Sequence, residues 1–135
     1  MALTAIVVDD SAVSRALLKR GLSKAGVEVV GEASTGERAL ELYEEHRPTL
    51  TFFDIVLPQL DGVTAATRLL KLHPGAIVII CSAMASREKI LACRQAGVAH
   101  FLLKPVTAEK IAQIAVGILS RVAKPGSKIA SGAKG

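Results

Sequence analysis

Three of the four aspartates stand directly after short apolar runs: Asp9 and Asp10 after Ala5–Val8, and Asp54 after Leu50–Phe53. Ser82 follows a third such run, Ala76–Cys81, and Lys104-Pro105 follows a fourth, His100–Leu103. Clustered carboxylates repel one another. They coexist when a hard cation neutralises them, and Mg²⁺ takes oxygen ligands, commonly one or two carboxylates with several waters retained. A carboxylate is also a nucleophile towards phosphorus, and the product is an aspartyl phosphate. Phosphoryl transfer needs positioning and cancellation of charge on the equatorial oxygens. A Mg²⁺, a lysine and a hydroxyl serve that need. If these residues meet, the chemistry they fit is acceptance of a phosphoryl group on one carboxylate.

The elements that must bring them together alternate along the chain. Ala5–Val8 reads as a strand buried on both faces. Ser11 to Ala25 has helical spacing with Val13, Ala16, Leu17 and Leu22 on one face, and Gly26 stands at the left-handed cap position. Val27–Ala33 is a second strand, and Ser34-Thr35-Gly36-Glu37 fits a capping box with Ser34 as cap and Glu37 reaching back. The second helix ends near His46, before Pro48, and Leu50–Phe53 is the third strand. A third helix opens at Asp61-Gly62 and closes by His73-Pro74-Gly75, followed by Ala76–Cys81 as the fourth strand. Ser86 caps a fourth helix with Ile90, Leu91 and Cys93 as its apolar positions and Gly97 past its end. His100–Leu103 is the fifth strand, and Thr107 caps a last helix running to about Val122.

Five strands alternating with five helices predict an α/β fold, a doubly wound parallel sheet with helices on both faces. In such sheets the ligand site lies at the carboxyl ends of the strands. Asp9, Asp10, Asp54, Ser82 and Lys104 all occupy those ends.

Taken together, Asp9-Asp10, the run from Asp54 through Pro58 to Asp61-Gly62, Ser82-Ala83 and Lys104-Pro105 resemble the receiver domain of two-component response regulators. The resemblance spans about residues 3–122. It implies the CheY-like strand order 2-1-3-4-5. It makes Asp54 the phosphoacceptor and Asp10, with Asp9 and Asp54, the Mg²⁺ ligands, joined by the backbone carbonyl of Val56. Ser82 and Lys104 would contact the phosphoryl group, and Phe101 matches the aromatic switch position. Pro58 and Gly62 would shape the turn after the phosphoacceptor, and the Lys104-Pro105 bond would be cis. The implied partners are a sensor histidine kinase and a downstream protein bound on the face of the fourth helix, fifth strand and fifth helix.

Two readings stay open on the residues alone. Phe101 is also what a half-buried edge-strand aromatic looks like. The last helix has a core stripe of Ile111, Ala112, Ala115, Ile118 and Leu119, flanked by Ile114 and Val116, with no charge between Lys110 and Arg121. Such flanks fit a contact surface or a merely apolar helix. Met84 lies where the family tunes dephosphorylation, and an apolar side chain there cannot orient an attacking water, so slow to moderate self-dephosphorylation is expected.

Composition bounds the rest. The chain has 135 residues, 50% of them apolar, which fits one domain with a real core. No apolar run approaches the ~20 residues of a membrane span, and the start lacks a secretory pattern, so the cytoplasm is the default expectation. The net charge of +5 hints at nucleic acid. Lys124, Lys128 and Lys134 supply three of those charges from a Gly/Ser/Lys-rich end, so residues 1–123 form a nearly neutral domain and 124–135 a basic flexible tail, and no nucleic-acid partner is expected. Cys81 and Cys93 match no zinc spacing and read as buried reduced thiols. His46, His73 and His100 carry no ligand signal.

The expected function is therefore a single-domain response regulator, chemotaxis-like or in a phosphorelay, and not an enzyme acting on a separate substrate. The alternatives are the receiver half of a longer regulator, a flavodoxin-like flavin carrier, and an Asp-nucleophile phosphatase. The flavin carrier lacks the aromatics, with no Trp and one Tyr. The phosphatase needs an acid two residues after the nucleophile, where this chain has Val56.

Overall fold

The computed structural model describes residues 3–83 and 86–123. Met84 and the segment 124–135, on which two expectations fall, lie outside the described residues. The order is β1 (Thr4–Val8), α1 (Ala12–Lys24), β2 (Glu28–Ala33), α2 (Gly36–His46), β3 (Leu50–Phe53), α3 (Gly62–Leu72), β4 (Val78–Ser82), α4 (Arg87–Ala96), β5 (His100–Leu103) and α5 (Ala108–Ala123). All strand pairs are parallel, in the spatial order β2-β1-β3-β4-β5. The expected five-stranded doubly wound sheet is thus the observed one.

Side chains alternate across the sheet and divide the core in two. Ile6, Val8, Phe53, Val78 and Ile80 pack against α2, α3 and α4. Ala5, Val7, Leu50, Phe52 and Ile79 pack against α1 and α5. Each large side chain so buried stabilises the fold by about 2 kcal/mol relative to exposure. The three central strands are therefore apolar on both faces, which is why they read as continuous runs.

Helix starts follow side-chain capping. Ser11, Asp61 and Ser86 accept from Ser14, Thr64 and Lys89 backbone N–H groups, and Thr107 accepts from Lys110 at 3.0 Å. The second helix differs from expectation. Thr35, not Ser34, is its cap and accepts from the Arg38 N–H, so Glu37 is not placed to close a capping box. The cause is strand pairing: β2 stays in register with β1 through Ala33 opposite Val8, and Ser34 is used in leaving the sheet.

The face of α1 also differs. Val13 is 80% exposed and Ala16 is exposed, while Leu18, Gly21 and Leu22 are buried. The later turns of α1 are the ones that reach the core, through Leu18 and Leu22. On α4, Cys93 is buried and Leu91 half exposed. Strand β4 is shifted towards Ser82 relative to the expected Ala76–Cys81, and β2 begins at Glu28 rather than Val27. Both cysteines are buried and free, and burial pushes the Cys81 thiol up to about 11. Among the described residues no helix is long and apolar enough to cross a membrane.

Candidate functional site

The parallel sheet sends β1, β3, β4 and β5 out at the same rim, and the polar residues that follow them meet there. Asp9 is 1% exposed and Asp54 7%, while Asp10, one residue on, is exposed. Carboxylate oxygens of Asp9, Asp10 and Asp54 lie within 4.8 Å of one another. Asp9 is fixed from two sides: its Oδ1 accepts from the Ser11 N–H at 2.9 Å, and its N–H donates to the Ala33 carbonyl at 3.0 Å. Asp54 Oδ1 accepts from the Val56 N–H at 3.3 Å, and the Asp54 N–H donates to the Val8 carbonyl.

Lys104 enters from the end of β5. Its Nζ lies 2.7 Å from Asp9 Oδ2, 3.3 Å from Ser14 Oγ and 3.4 Å from Asp54 Oδ2. Burial opposes the ammonium charge, but the Asp9 hydrogen bond and the Asp54 and Asp9 charges outweigh it, and the amine sits above the ordinary lysine range. The backbone N–H of Lys104 donates to the Ser82 carbonyl at 2.8 Å, and the Lys104-Pro105 bond is cis, as the resemblance implied. Ser82 is fully buried at the end of β4, beside Leu103 of β5.

The loop after Asp54 is built for close approach. Pro58, Gln59 and Leu60 form a tight turn in which the Leu60 N–H donates to the Pro58 carbonyl at 2.8 Å, with Gln59 at φ 68°. Gly62 then passes against the phosphoacceptor candidate itself: a Cβ there would lie 1.8 Å from the Asp54 carbonyl oxygen. Only glycine fits that contact. Of the expected turn residues, Gly62 makes this close approach, Pro58 accepts within the tight turn, and Pro105 follows Lys104 through a cis bond.

Two contributors were missed by sequence reasoning. Ser14 holds Lys104 from α1, and Arg15 donates from Nη1 to the Asp9 carbonyl at 2.6 Å while its Nε pairs with Glu32 at 3.0 Å. Glu32 is held below the usual carboxylate range, chiefly by its hydrogen bond to Lys19, with Arg15 adding to it. The only available signal was position: both residues lie in the first turn of a helix that starts at the rim.

The donor set fits a hard divalent cation. It is all oxygen, and Lys104 is the only cation paired with these three carboxylates among the described residues, which leaves unbalanced negative charge. The side chain of Val56 points to solvent at 49% exposure. Phe101 is half-buried and packs against the core on the α2–α4 side.

The family model "Response regulator receiver domain" matches residues 5–116. The chain belongs to the response regulator receiver domain family. This receiver domain is 36% identical over 119 residues to the chemotaxis protein CheY of Thermotoga maritima, covering 88% of this chain and 96% of that one. It is 40% identical over 111 residues to CheY of Bacillus subtilis, covering 82% and 92%. Among solved structures, a chain of the CheX-CheY-BeF3-Mg+2 complex from Borrelia burgdorferi superposes with a TM-score of 0.82 at 25% identity, covering 87% of this chain and 89% of that one. The receiver is CheY-like, a signalling class, and its acidic rim coincides with the residues the sequence singled out.

Proposed function

We propose that this receiver accepts a phosphoryl group from a histidine kinase on Asp54, in a Mg²⁺-dependent reaction, and signals through a phosphorylation-dependent protein contact. The observation that carries the reading is the convergence of Asp9, Asp10 and Asp54 on one rim with Lys104 bridging two of them. Asp54 Oδ attacks phosphorus, a P–O bond forms, the P–N bond of the phosphohistidine breaks, and the departing imidazole keeps the electron pair. Asp10, Asp9, Asp54 and the Val56 carbonyl would hold Mg²⁺, which supplies charge neutralisation when bound. Lys104 exchanges Asp9 for the new phosphoryl oxygens, and Ser82 hydrogen-bonds them. Added negative charge at one point then re-pairs a cation and a hydroxyl, the physical event behind such switches.

The output surface is proposed on α4, β5 and α5. Leu91, Leu103 and Val116 lie half exposed there, at 50%, 54% and 52%. Phe101 on β5 links the rim to that face. Residues 1–123 are the receiver unit, with 124–135 as an appended basic tail. The 36% and 40% identity to two chemotaxis CheY proteins supports a chemotaxis-like or phosphorelay role, which would place the protein in the cytoplasm.

The test is incubation with a small phosphodonor such as phosphoramidate and Mg²⁺, read by intact-protein mass. The wild type gains one phosphoryl group and Asp54→Ala gains none. Equal labelling of the two proteins, or none of the wild type, overturns the reading. A separate labelled phosphatase substrate should show no turnover, since no acid follows Asp54 at Val56.

A further inference from the structure

An ammonium group has three N–H donors. Lys104 Nζ has three oxygen neighbours, and they are unequal: Asp9 Oδ2 at 2.7 Å, Ser14 Oγ at 3.3 Å and Asp54 Oδ2 at 3.4 Å. The unphosphorylated arrangement thus holds the ammonium close to Asp9 and farther from Asp54. Ser14 is the neutral member of the set and comes from a different element, α1. Its hydroxyl has no role in the helix cap, where the backbone N–H of Ser14 donates to Ser11 Oγ.

We infer that Ser14 is a positioning residue for Lys104, holding its ammonium on the α1 side of the carboxylates in the unphosphorylated protein. The inference rests on the proposed function, in which Lys104 turns to a phosphoryl group on Asp54. Phosphoryl oxygens are charged and accept more strongly than a hydroxyl. Once they are present, the ammonium satisfies its donors on them and gives up the longer bond to Ser14. The Ser14 contact therefore belongs to the resting arrangement alone. A contact made in one of two states favours that state by its own free energy. Ser14 acts as a brake: it lowers the affinity for a phosphoryl group without touching it.

The geometry also supplies the control. A cavity of about 340 Å³ is lined by Ser14, Leu17, Cys81, Lys104, Val106 and Ile111. Ser14→Thr keeps the hydroxyl and adds one methyl at a position that lines this cavity.

Beryllofluoride with Mg²⁺, a stable mimic of the phosphoryl group, is titrated calorimetrically into the wild type, Ser14→Ala and Ser14→Thr. The expected result is about threefold tighter binding by Ser14→Ala, the size of one modest hydrogen bond, with Ser14→Thr unchanged. Equal or weaker binding by Ser14→Ala overturns the inference, as does a Ser14→Thr that behaves like the alanine. If the wild type itself binds no beryllofluoride, the proposed function fails instead. Urea unfolding of the wild type, Ser14→Ala, Lys104→Met and the double variant reads the same contact without ligand. A coupling of about threefold in the unfolding constant is expected between the two positions. No coupling would show that Ser14 does not act through Lys104.

Discussion

The two ends of the sheet both carry charged clusters, and they are built on opposite plans. At the carboxyl end, Asp9 and Asp54 are buried, Asp10 joins them, and one lysine pairs with two of the three. At the amino end, Glu44 bonds His73 at 2.6 Å and Arg47 at 3.1 Å, with the His73 ring 4.7 Å from that of Tyr43 and the Arg47 guanidinium over the Tyr43 ring at 5.9 Å. Those charges are mostly exposed and balanced in sign. A balanced exposed cluster is screened by water and salt and contributes little. A buried cluster with excess charge of one sign costs stability unless something else binds. At the carboxyl end that cost is what the proposed binding of a divalent cation would offset.

The largest expected effect is at Lys104. Lys104→Ala leaves the buried Asp9 carboxylate without its closest cation and destabilises the protein by about 2 kcal/mol in urea unfolding without divalent ions. Added Mg²⁺ should recover part of the loss. A change within error would mean that the rim is no more demanding than the amino end. The pH dependence has the matching sign. The Lys104 pKa is raised in the fold, so its contribution is complete below the ordinary lysine value and is lost as pH climbs through the raised value. Lys104→Ala should remove that alkaline loss.

The next effect has the opposite sign. Asp54→Asn removes one of three like charges while keeping an acceptor for the Val56 N–H. Without divalent ions it should stabilise the fold by about 1 kcal/mol, and it should flatten the Mg²⁺ dependence of the unfolding midpoint. A destabilised Asp54→Asn would mean that Lys104 already balances the cluster.

Thr51 sharpens the contrast from the amino end. It is fully buried in β3, and its Oγ1 is the one buried side-chain polar atom without a hydrogen-bond partner among the described residues. Nothing at the rim is left in that condition, since Asp9 and Asp54 are bonded and Ser82 has its own interaction. Thr51→Val removes the orphan hydroxyl and should stabilise by about 1 kcal/mol with no effect on beryllofluoride affinity. The smallest effect is at Glu44. Its carboxyl is held below the usual range by the hydrogen bonds from His73 and then Arg47. Whatever stability that supplies is present above the ordinary carboxylate pKa and fades as pH falls through the lowered one. Glu44→Gln should barely move the midpoint at neutral pH, and any movement should vanish in 1 M salt, about 3 Å of Debye length.

The sequence alone determined the element order and the place of the chemistry. Apolar runs of strand length ending in Asp9, Asp54, Ser82 and Lys104 are local facts, and a parallel sheet necessarily carries such endings to one rim. The caps Asp61, Ser86 and Thr107 are local as well, each a side chain bonding a backbone N–H three residues on. Family membership followed from the same residues because their spacing is fixed by strand and helix lengths. Local reasoning failed where a distant segment decided the outcome. Strand register moved the second helix cap from Ser34 to Thr35, and packing of α1 through Leu18 and Leu22 left Val13 outward. Tertiary structure also decided which of two adjacent aspartates is buried, and that Lys104 leans on Asp9 rather than Asp54. It brought Ser14 to a lysine 90 positions away. Spacing along a chain reports which groups a strand end can deliver, whereas the distances among delivered groups depend on how separate elements pack, and no local pattern encodes those.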